Sequence, residues 1–289
     1  MAPPLSKCYL NGNFRDIKSA YVSVLDRGFI FGDAVYEVIP VFNGTAFHLD
    51  LHLERLVRSL DAIKIASPMD KKAWRQLIYE LIELNGNGDQ SIYLQVTRGV
   101  AERDHAMPTV QVPTVFVFSS GLVQAEIEPV QAITAVDIRW QHCDIKATSL
   151  LGNVLLRTEA AAQHAVEAIL FRDGILTEGA ASNVFLVINK RVYTSCENEH
   201  ILAGITRRLL IDILAETSFA VIEEDITKEA FVEASEVWVT SSSKDLLPVT
   251  KCDGQSVGTG VPGEVFLHVR GLFGNYKTDW LAAEKARQG

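Results

Sequence analysis

The tight turns constrain this chain more than any other feature. Asn11-Gly12, Asn43-Gly44, Asp173-Gly174 and Asn189-Lys190 each lie between strand-like runs. An Asn-Gly or Asp-Gly pair accepts the positive φ of a type I′ turn, whose twist matches that of the two strands it joins. Hairpins are therefore predicted over 9–14, over 34–42 with 45–49, around Arg172-Asp173-Gly174, and over 183–188 with 191–194. Further strands are predicted at 91–96, at 114–118 just after Pro113, at 132–140 and at 237–240. Helical spacing fills the intervals. Asp50 is expected to cap a helix striped by Leu51, Leu53, Leu56, Leu60 and Ile63, and Asp70 a second over 71–84 that stops at Asn85-Gly86. A third runs from about Leu150 to Ala165, and a fourth opens at Gly204-Ile205-Thr206 with Leu209, Leu210, Ile213 and Leu214 as its stripe. A last helix covers 264–276, with a frayed polar tail beyond Trp280. Hairpins interleaved with helices specify a mixed α and β (α+β) fold, not a regular βαβ series.

A chain of 289 residues is near the limit for one hydrophobic core, so two lobes are expected. Composition shifts near the acidic stretch 121–129, which divides an N-terminal lobe (1–120) from a C-terminal lobe (130–289). A net charge of −9 argues against a nucleic-acid surface, although it leaves room for a local arginine cluster facing a small anion. No apolar run is long enough to span a bilayer, and the first residues do not read as a secretory leader. Cys8, Cys143, Cys196 and Cys252 are dispersed, which suits free thiols in a reducing cytoplasm. His48 and His52 are four apart, but no glutamate between them and no third ligand make a metal centre. They read as structural.

The chemistry centres on Lys146, which sits between the strand at 132–140 and the helix from Leu150. A desolvated lysine tends to lose its proton, and a neutral amine forms a Schiff base with a carbonyl. By itself Lys146 reads first as an ordinary turn lysine. Thr177-Glu178-Gly179, followed by Ala180-Ala181-Ser182-Asn183, places one carboxylate among residues small enough for a flat ring to lie against backbone. Gly204-Ile205-Thr206 offers the uncapped N–H groups and hydroxyl that helix N-termini present to phosphate. The Ser241-Ser242-Ser243 run adds hydroxyls, and Arg55 a candidate counter-ion. A Schiff-base lysine, a carboxylate for a pyridine nitrogen and a phosphate cup are together what pyridoxal 5′-phosphate requires.

Asp26-Arg27-Gly28, the run from Phe31-Gly32-Asp33 to Tyr36-Glu37, Arg55, Lys146 with Leu150-Leu151-Gly152-Asn153, Thr177-Glu178-Gly179, Ser182-Asn183-Val184-Phe185 and Gly204-Ile205-Thr206-Arg207 occur in order from about Tyr9 to Tyr276. In these the chain resembles the class IV, fold-type IV pyridoxal-phosphate aminotransferases, and within them the D-amino acid-specific branch. The resemblance implies a two-domain enzyme with an N-terminal α/β lobe and a β-barrel-like C-terminal lobe carrying helices. It implies that Lys146 holds the cofactor as an internal aldimine and then moves a proton between substrate Cα and the cofactor, with Glu178 facing the ring nitrogen. Arg55, Ile205, Thr206 and the serines Ser241 and Ser242 would hold the phosphate, and Leu202 would pack on the ring. A homodimer is implied, because in this family the site lies close to a dimer interface.

Thr97-Arg98-Gly99-Val100-Ala101-Glu102-Arg103-Asp104-His105 selects the branch. Two residues apart on extended backbone, Arg103 and His105 point to one side. An arginine fork and a histidine donor suit a carboxylate. The resemblance makes this pair, with Tyr36, the trap for the substrate α-carboxylate, supplied from the neighbouring subunit. The implied reaction is a ping-pong transfer from a D-amino acid such as D-alanine to a 2-oxo acid such as 2-oxoglutarate. A branched-chain L-amino acid aminotransferase shares the cofactor residues but is not expected to carry the Arg103/His105 pair. An aminodeoxychorismate lyase shares them too, and a non-enzymatic vitamin B6 carrier is the reading from another class. Two positions depart from the pattern: Ala180-Ala181 stand where the branch often has serines, and Pro40 lies where a longer polar residue can occur.

Overall fold

A computed structural model describes residues 2–122 and 128–288, so the middle of the expected connector at 121–129 lies outside the described residues. The chain forms two compact units. The first comprises Met1–Gln124 with Ile145–Ser149, the second Ala125–Asp144 with Leu150–Gly289.

The first unit contains β1 (Pro4–Leu10), β2 (Asn13–Asp16), α1 (Arg27–Phe31), β3 (Ala34–Phe42), β4 (Thr45–Ala46), α2 (Leu49–Ala62), α3 (Lys71–Leu84), β5 (Gln90–Thr97) and β6 (Thr114–Gly121). Its strands form one antiparallel sheet in the order β2-β1-β6-β5-β3-β4. The two Asn-Gly pairs turn its hairpins with the positive φ they were expected to supply, 46° and 93° at Asn11-Gly12 and 48° and 78° at Asn43-Gly44. Alternate residues Val35, Ile39 and Val41 of β3, Ile92, Leu94 and Val96 of β5, and Val115 and Val117 of β6 meet Leu53, Leu56 and Leu60 of α2 and Trp74, Ile78 and Leu81 of α3 in one buried core. The other face of the sheet carries a half-buried aromatic row in which Tyr36 stacks on Tyr93 (5.6 Å) and Tyr93 meets Phe118 (5.1 Å).

Two details differ from expectation. β4 stops at Ala46, and α2 is entered through His48 in the left-handed conformation, not capped by Asp50. Asp50 instead lies in the first turn and accepts a 2.7 Å bond from Arg75 of α3. Asp70 does cap α3, accepting from the Ala73 amide at 2.7 Å.

The second unit contains β7 (Val130–Val136), α4 (Leu151–Ala162), β8 (Glu167–Arg172), β9 (Ile175–Gly179), β10 (Asn183–Ile188), β11 (Arg191–Thr194), α5 (Ile205–Leu214), β12 (Val221–Glu223), α6 (Lys228–Val232), β13 (Glu236–Ser241), β14 (Asp245–Cys252), β15 (Gln255–Ser256) and α7 (Glu264–Gln288). The strands join in the order β12-β11-β10-β13-β14-β7-β8-β9, with β15 on β14. Chain length forces this sheet to curl. β9 and β10 are five strand spacings apart in that order, about 24 Å on a flat sheet. The link from Gly179 to Asn183 spans at most roughly 14 Å, and the Gly179 amide donates to the Ser182 carbonyl at 2.7 Å. The unit therefore closes towards a barrel. β7 ends at Val136, short of the expected 140, because Asp137 and Arg139 turn to each other. α7 continues to Gln288, past the expected end at Tyr276.

Candidate active site

Lys146 packs with the first unit, whereas its place in the sequence put it in the second lobe. The first half of β3 extends beyond β4, leaving backbone groups for another partner, and residues 146–148 take them. Tyr36 N donates to Lys146 O (3.0 Å), Thr148 N donates to Ala34 O (3.0 Å), and Val35 and Ala147 form an antiparallel bridge. On the other side the Lys146 amide donates to Ser59 Oγ of α2 at 3.3 Å. The half-buried side chain puts Nζ 4.3 Å from the centre of the Tyr36 ring. Pairing fixes the backbone and an aromatic face steers the amine.

Beneath Tyr36, on the core face of β3, Glu37 is fully buried. It accepts from Arg55 Nε (2.7 Å), Arg55 Nη2 (2.8 Å) and His52 Nδ1 (2.8 Å). Burial alone would raise its pKa, but the Arg55 guanidinium and the His52 hydrogen bond hold it well below the usual carboxylate range. Burial pushes His52 down despite Glu37, so His52 is neutral and donates through Nδ1. Two nitrogens of Arg55, read from sequence as a phosphate counter-ion, are thus committed to Glu37.

Arg103 and His105 lie in a loop of bends, not on the extended backbone expected of them. They nonetheless gather on one ring. The Arg103 guanidinium lies 5.5 Å from the centre of Phe31, and the His105 ring is 5.5 Å from the same centre. Tyr36, the third expected member of the trap, stands with Lys146 and Tyr93.

In the second unit Glu178, the penultimate residue of β9, lies among donors. Arg139 pairs with Oε1, while Asn183 Nδ2 (3.1 Å) and the Leu202 amide (3.2 Å) both donate to Oε2. Arg139 also grips Asp137 through Nε and Nη2, both at 2.9 Å, and Arg172 adds a contact to Asp137 at 3.2 Å. The carboxylates of Asp137 and Glu178 outweigh burial and raise the Arg139 pKa, so its charge is permanent. Leu202 is placed by the same network, its carbonyl accepting from Asn183 Nδ2 at 2.9 Å.

Gly204 precedes α5 with no side chain capping the first turn. A Cβ at Gly204 would stand 1.9 Å from Asn183 Oδ1, so only glycine fits. Ile205 and Thr206 are buried in this first turn. Across β10 and β13, Asn183 pairs in register with Thr240, whose hydroxyl is buried without a partner among the described residues, and Ser241 and Ser242 follow. The arrangement provides uncapped amides, hydroxyls and a carboxylate tied to them through Asn183.

Sequence reasoning missed Arg139, Glu37 and the linking role of Asn183. The signal was faint: Asp137-x-Arg139 interrupts a strand-like run, and Glu37 is the one charge in the apolar stretch 34–42.

The amino-transferase class IV family model matches residues 34–252. The chain belongs to the class IV aminotransferases. This aminotransferase is 39% identical over 267 residues to a D-alanine aminotransferase of Bacillus licheniformis, covering 91% of this chain and 94% of that one. It is 37% identical over 276 residues to a D-alanine aminotransferase of Staphylococcus aureus (strain COL), covering 94% and 98%. Among solved structures it superposes on a branched-chain aminotransferase from the thermophilic archaeon Thermoproteus uzoniensis, with norvaline. The TM-score is 0.84 at 24% identity, with 92% of each chain covered, a likeness of fold. Class IV aminotransferases work with pyridoxal 5′-phosphate, and the residues present fit it. Glu178 suits a pyridine nitrogen, and the uncapped turn at Gly204 with the unpartnered Thr240 hydroxyl suits a phosphate ester.

Proposed function

We propose that this aminotransferase moves amino groups between D-amino acids, with D-alanine as the type donor, and 2-oxo acids such as 2-oxoglutarate. Bound pyridoxal 5′-phosphate supplies the electron sink and the carbonyl that carries the amino group. Lys146 Nζ would be its attachment point, and the base that takes the proton from substrate Cα. Glu178 holds a proton at the ring nitrogen, and Arg139 and Asn183 keep that carboxylate from turning away. Leu202 packs on the ring. The amides of Ile205 and Thr206, the Thr206 hydroxyl, Ser241 and Ser242 hold the phosphate, with Arg55 as counter-ion.

The observation that carries the substrate assignment is the pairing of Arg103 and His105 on Phe31. Among the described residues neither side chain forms an ion pair, so both remain available to a carboxylate. With Tyr36 they fix the α-carboxylate on one side, which decides the hydrogen presented to Lys146 and hence the D configuration. In this reading the pair serves the neighbouring subunit of a homodimer. The unit boundary falls in 121–129, and the dispersed free thiols suit the cytoplasm. Among the described residues no helix is long and apolar enough to cross a membrane.

The deciding experiment mixes the holoenzyme separately with D-alanine and L-leucine and follows the visible absorption band of the cofactor. D-alanine should bleach that band, and 2-oxoglutarate should restore it. Bleaching by L-leucine alone would replace this reading with the branched-chain L-specific one.

A further inference from the structure

Arg103 and His105 stand on a loop without regular structure, and their side chains are exposed. Two groups that must meet a carboxylate in a fixed geometry need a rigid support, and the support visible here is Phe31. The ring of Phe31 has the Arg103 guanidinium at 5.5 Å and the His105 ring at 5.5 Å, tilted by 39°. A third group, the buried Arg27, has its guanidinium 4.8 Å from the same ring centre. Arg27 also reaches the loop backbone. Its Nη1 donates to the Asp104 carbonyl at 2.6 Å and to the Ala106 carbonyl at 3.3 Å, carbonyls of the residues on either side of His105.

Arg27 is itself anchored. Its Nε donates to Asp33 Oδ2 at 2.8 Å, and Asp33 accepts from Arg98 Nε at 2.7 Å and Nη2 at 2.9 Å. Arg98 bonds in turn to the carbonyls of Ile63 (2.7 Å) and Lys64 (3.1 Å), immediately after α2. A continuous chain of charge-assisted contacts therefore runs from the end of α2 to the tip of the loop. Its last link is an aromatic face, which attracts cations without neutralising them. An acidic side chain in that place would also have held Arg103, but would have competed with the substrate carboxylate.

We infer that Phe31, held by Arg27, is the platform that positions Arg103 and His105 for the substrate carboxylate. Phe31 and Arg27 are thus positioning residues for amino-acid binding. The inference rests on the assignment of Arg103 and His105 to the carboxylate trap.

The test compares holoenzyme of the wild type with Phe31→Leu, which keeps an apolar side chain of similar reach and removes the ring. Phe31→Tyr, which keeps the ring, is the conservative control, and Arg27→Lys loses the two carbonyl contacts. Two readouts are taken: amide hydrogen exchange of residues 101–106 without substrate, and KM against kcat for D-alanine and 2-oxoglutarate. Phe31→Leu should raise exchange in the loop and raise both KM values roughly tenfold. Its kcat should stay within about twofold and its cofactor band should be unchanged, because the chemical step is untouched. Phe31→Tyr should behave as wild type, and Arg27→Lys as Phe31→Leu.

Loop exchange equal in Phe31→Leu and wild type would overturn the platform. A fall in kcat at constant KM would overturn the positioning role. Failure of the trap assignment is recognised separately: Arg103→Ala would then leave KM unchanged, while the exchange comparison still decides whether Phe31 and Arg27 hold the loop. If Phe31→Leu does not fold, Arg27→Lys against wild type decides by the same two readouts.

Discussion

At the scale of single residues, charged groups that satisfy one another inside the fold differ from those left open to solvent. Glu37 is held beneath Tyr36 by Arg55 and an uncharged His52. Arg103 and His105 are placed against an aromatic ring instead. Replacing Arg103 with alanine removes a charge-assisted fork worth about 1.5–3 kcal/mol. KM for D-alanine should therefore rise roughly ten- to a hundredfold, with cofactor binding unchanged. Steady-state kinetics beside an absorption spectrum of the purified variant check both halves. Replacing Lys146 with alanine should abolish turnover and the Schiff-base absorption together.

At the scale of elements, the decisive feature is how Asn183, the first residue of β10, links the end of β9 to the start of α5. It donates to Glu178 and to the Leu202 carbonyl, and its Oδ1 occupies the space a Cβ at Gly204 would need. Gly204→Ala puts a poorer N-cap residue before α5 and must displace Asn183. The displaced side chain leaves Glu178 short of a donor and distorts the uncapped turn. Cofactor affinity should fall by about tenfold or more, given roughly 1–3 kcal/mol for an unsatisfied buried group. Titration of the apoprotein with pyridoxal 5′-phosphate measures this directly.

Local features such as these were unequally legible in the sequence. The Asn-Gly hairpins and the Asp70 cap could be read because they depend on residues within four positions of one another. The pairing of 146–148 with β3 could not, since nothing local marks which strand has unfilled backbone groups. Asp50 misled for a related reason: its carboxylate suits a cap, but His48 had already turned the chain, and Arg75 from a different helix claimed it. Lys146, Glu178 and the Gly204 turn were legible only as a set, each being ordinary alone.

At the scale of the whole molecule, two properties follow. The first is acid sensitivity. Asp33, Glu37 and Asp137 have pKa values lowered in the folded state by their arginine and histidine partners, against the opposing effect of burial. Each stabilises the fold above its unfolded pKa of about 4, and that contribution is lost as pH falls through the folded value. Glu167 works in the opposite direction, because burial raises its pKa and it favours the fold most when protonated. Glu167 acts above about pH 4 and the other three below it, so Tm should hold or rise slightly on acidification to about pH 4 and then fall. Calorimetry across that range tests the sign. The second concerns the proposed homodimer. Tyr21, Val24 and Phe29 are 80%, 70% and 72% exposed within nine residues of sequence, large apolar side chains of the kind partners cover. Sedimentation should give twice the 31.9 kDa chain mass, and Phe29→Glu should shift it towards one.

The excursion of residues 145–149 out of the second unit also bears on how such an enzyme can be recombined. A chimera joined in the stretch 121–129 would import its reactive amine from one parent and seat it on β3 and Ser59 of the other. Grafts that carry 145–149 with the first parent's residues should outperform those cut at the single obvious seam. Modularity here follows the backbone pairing, not the order of the letters.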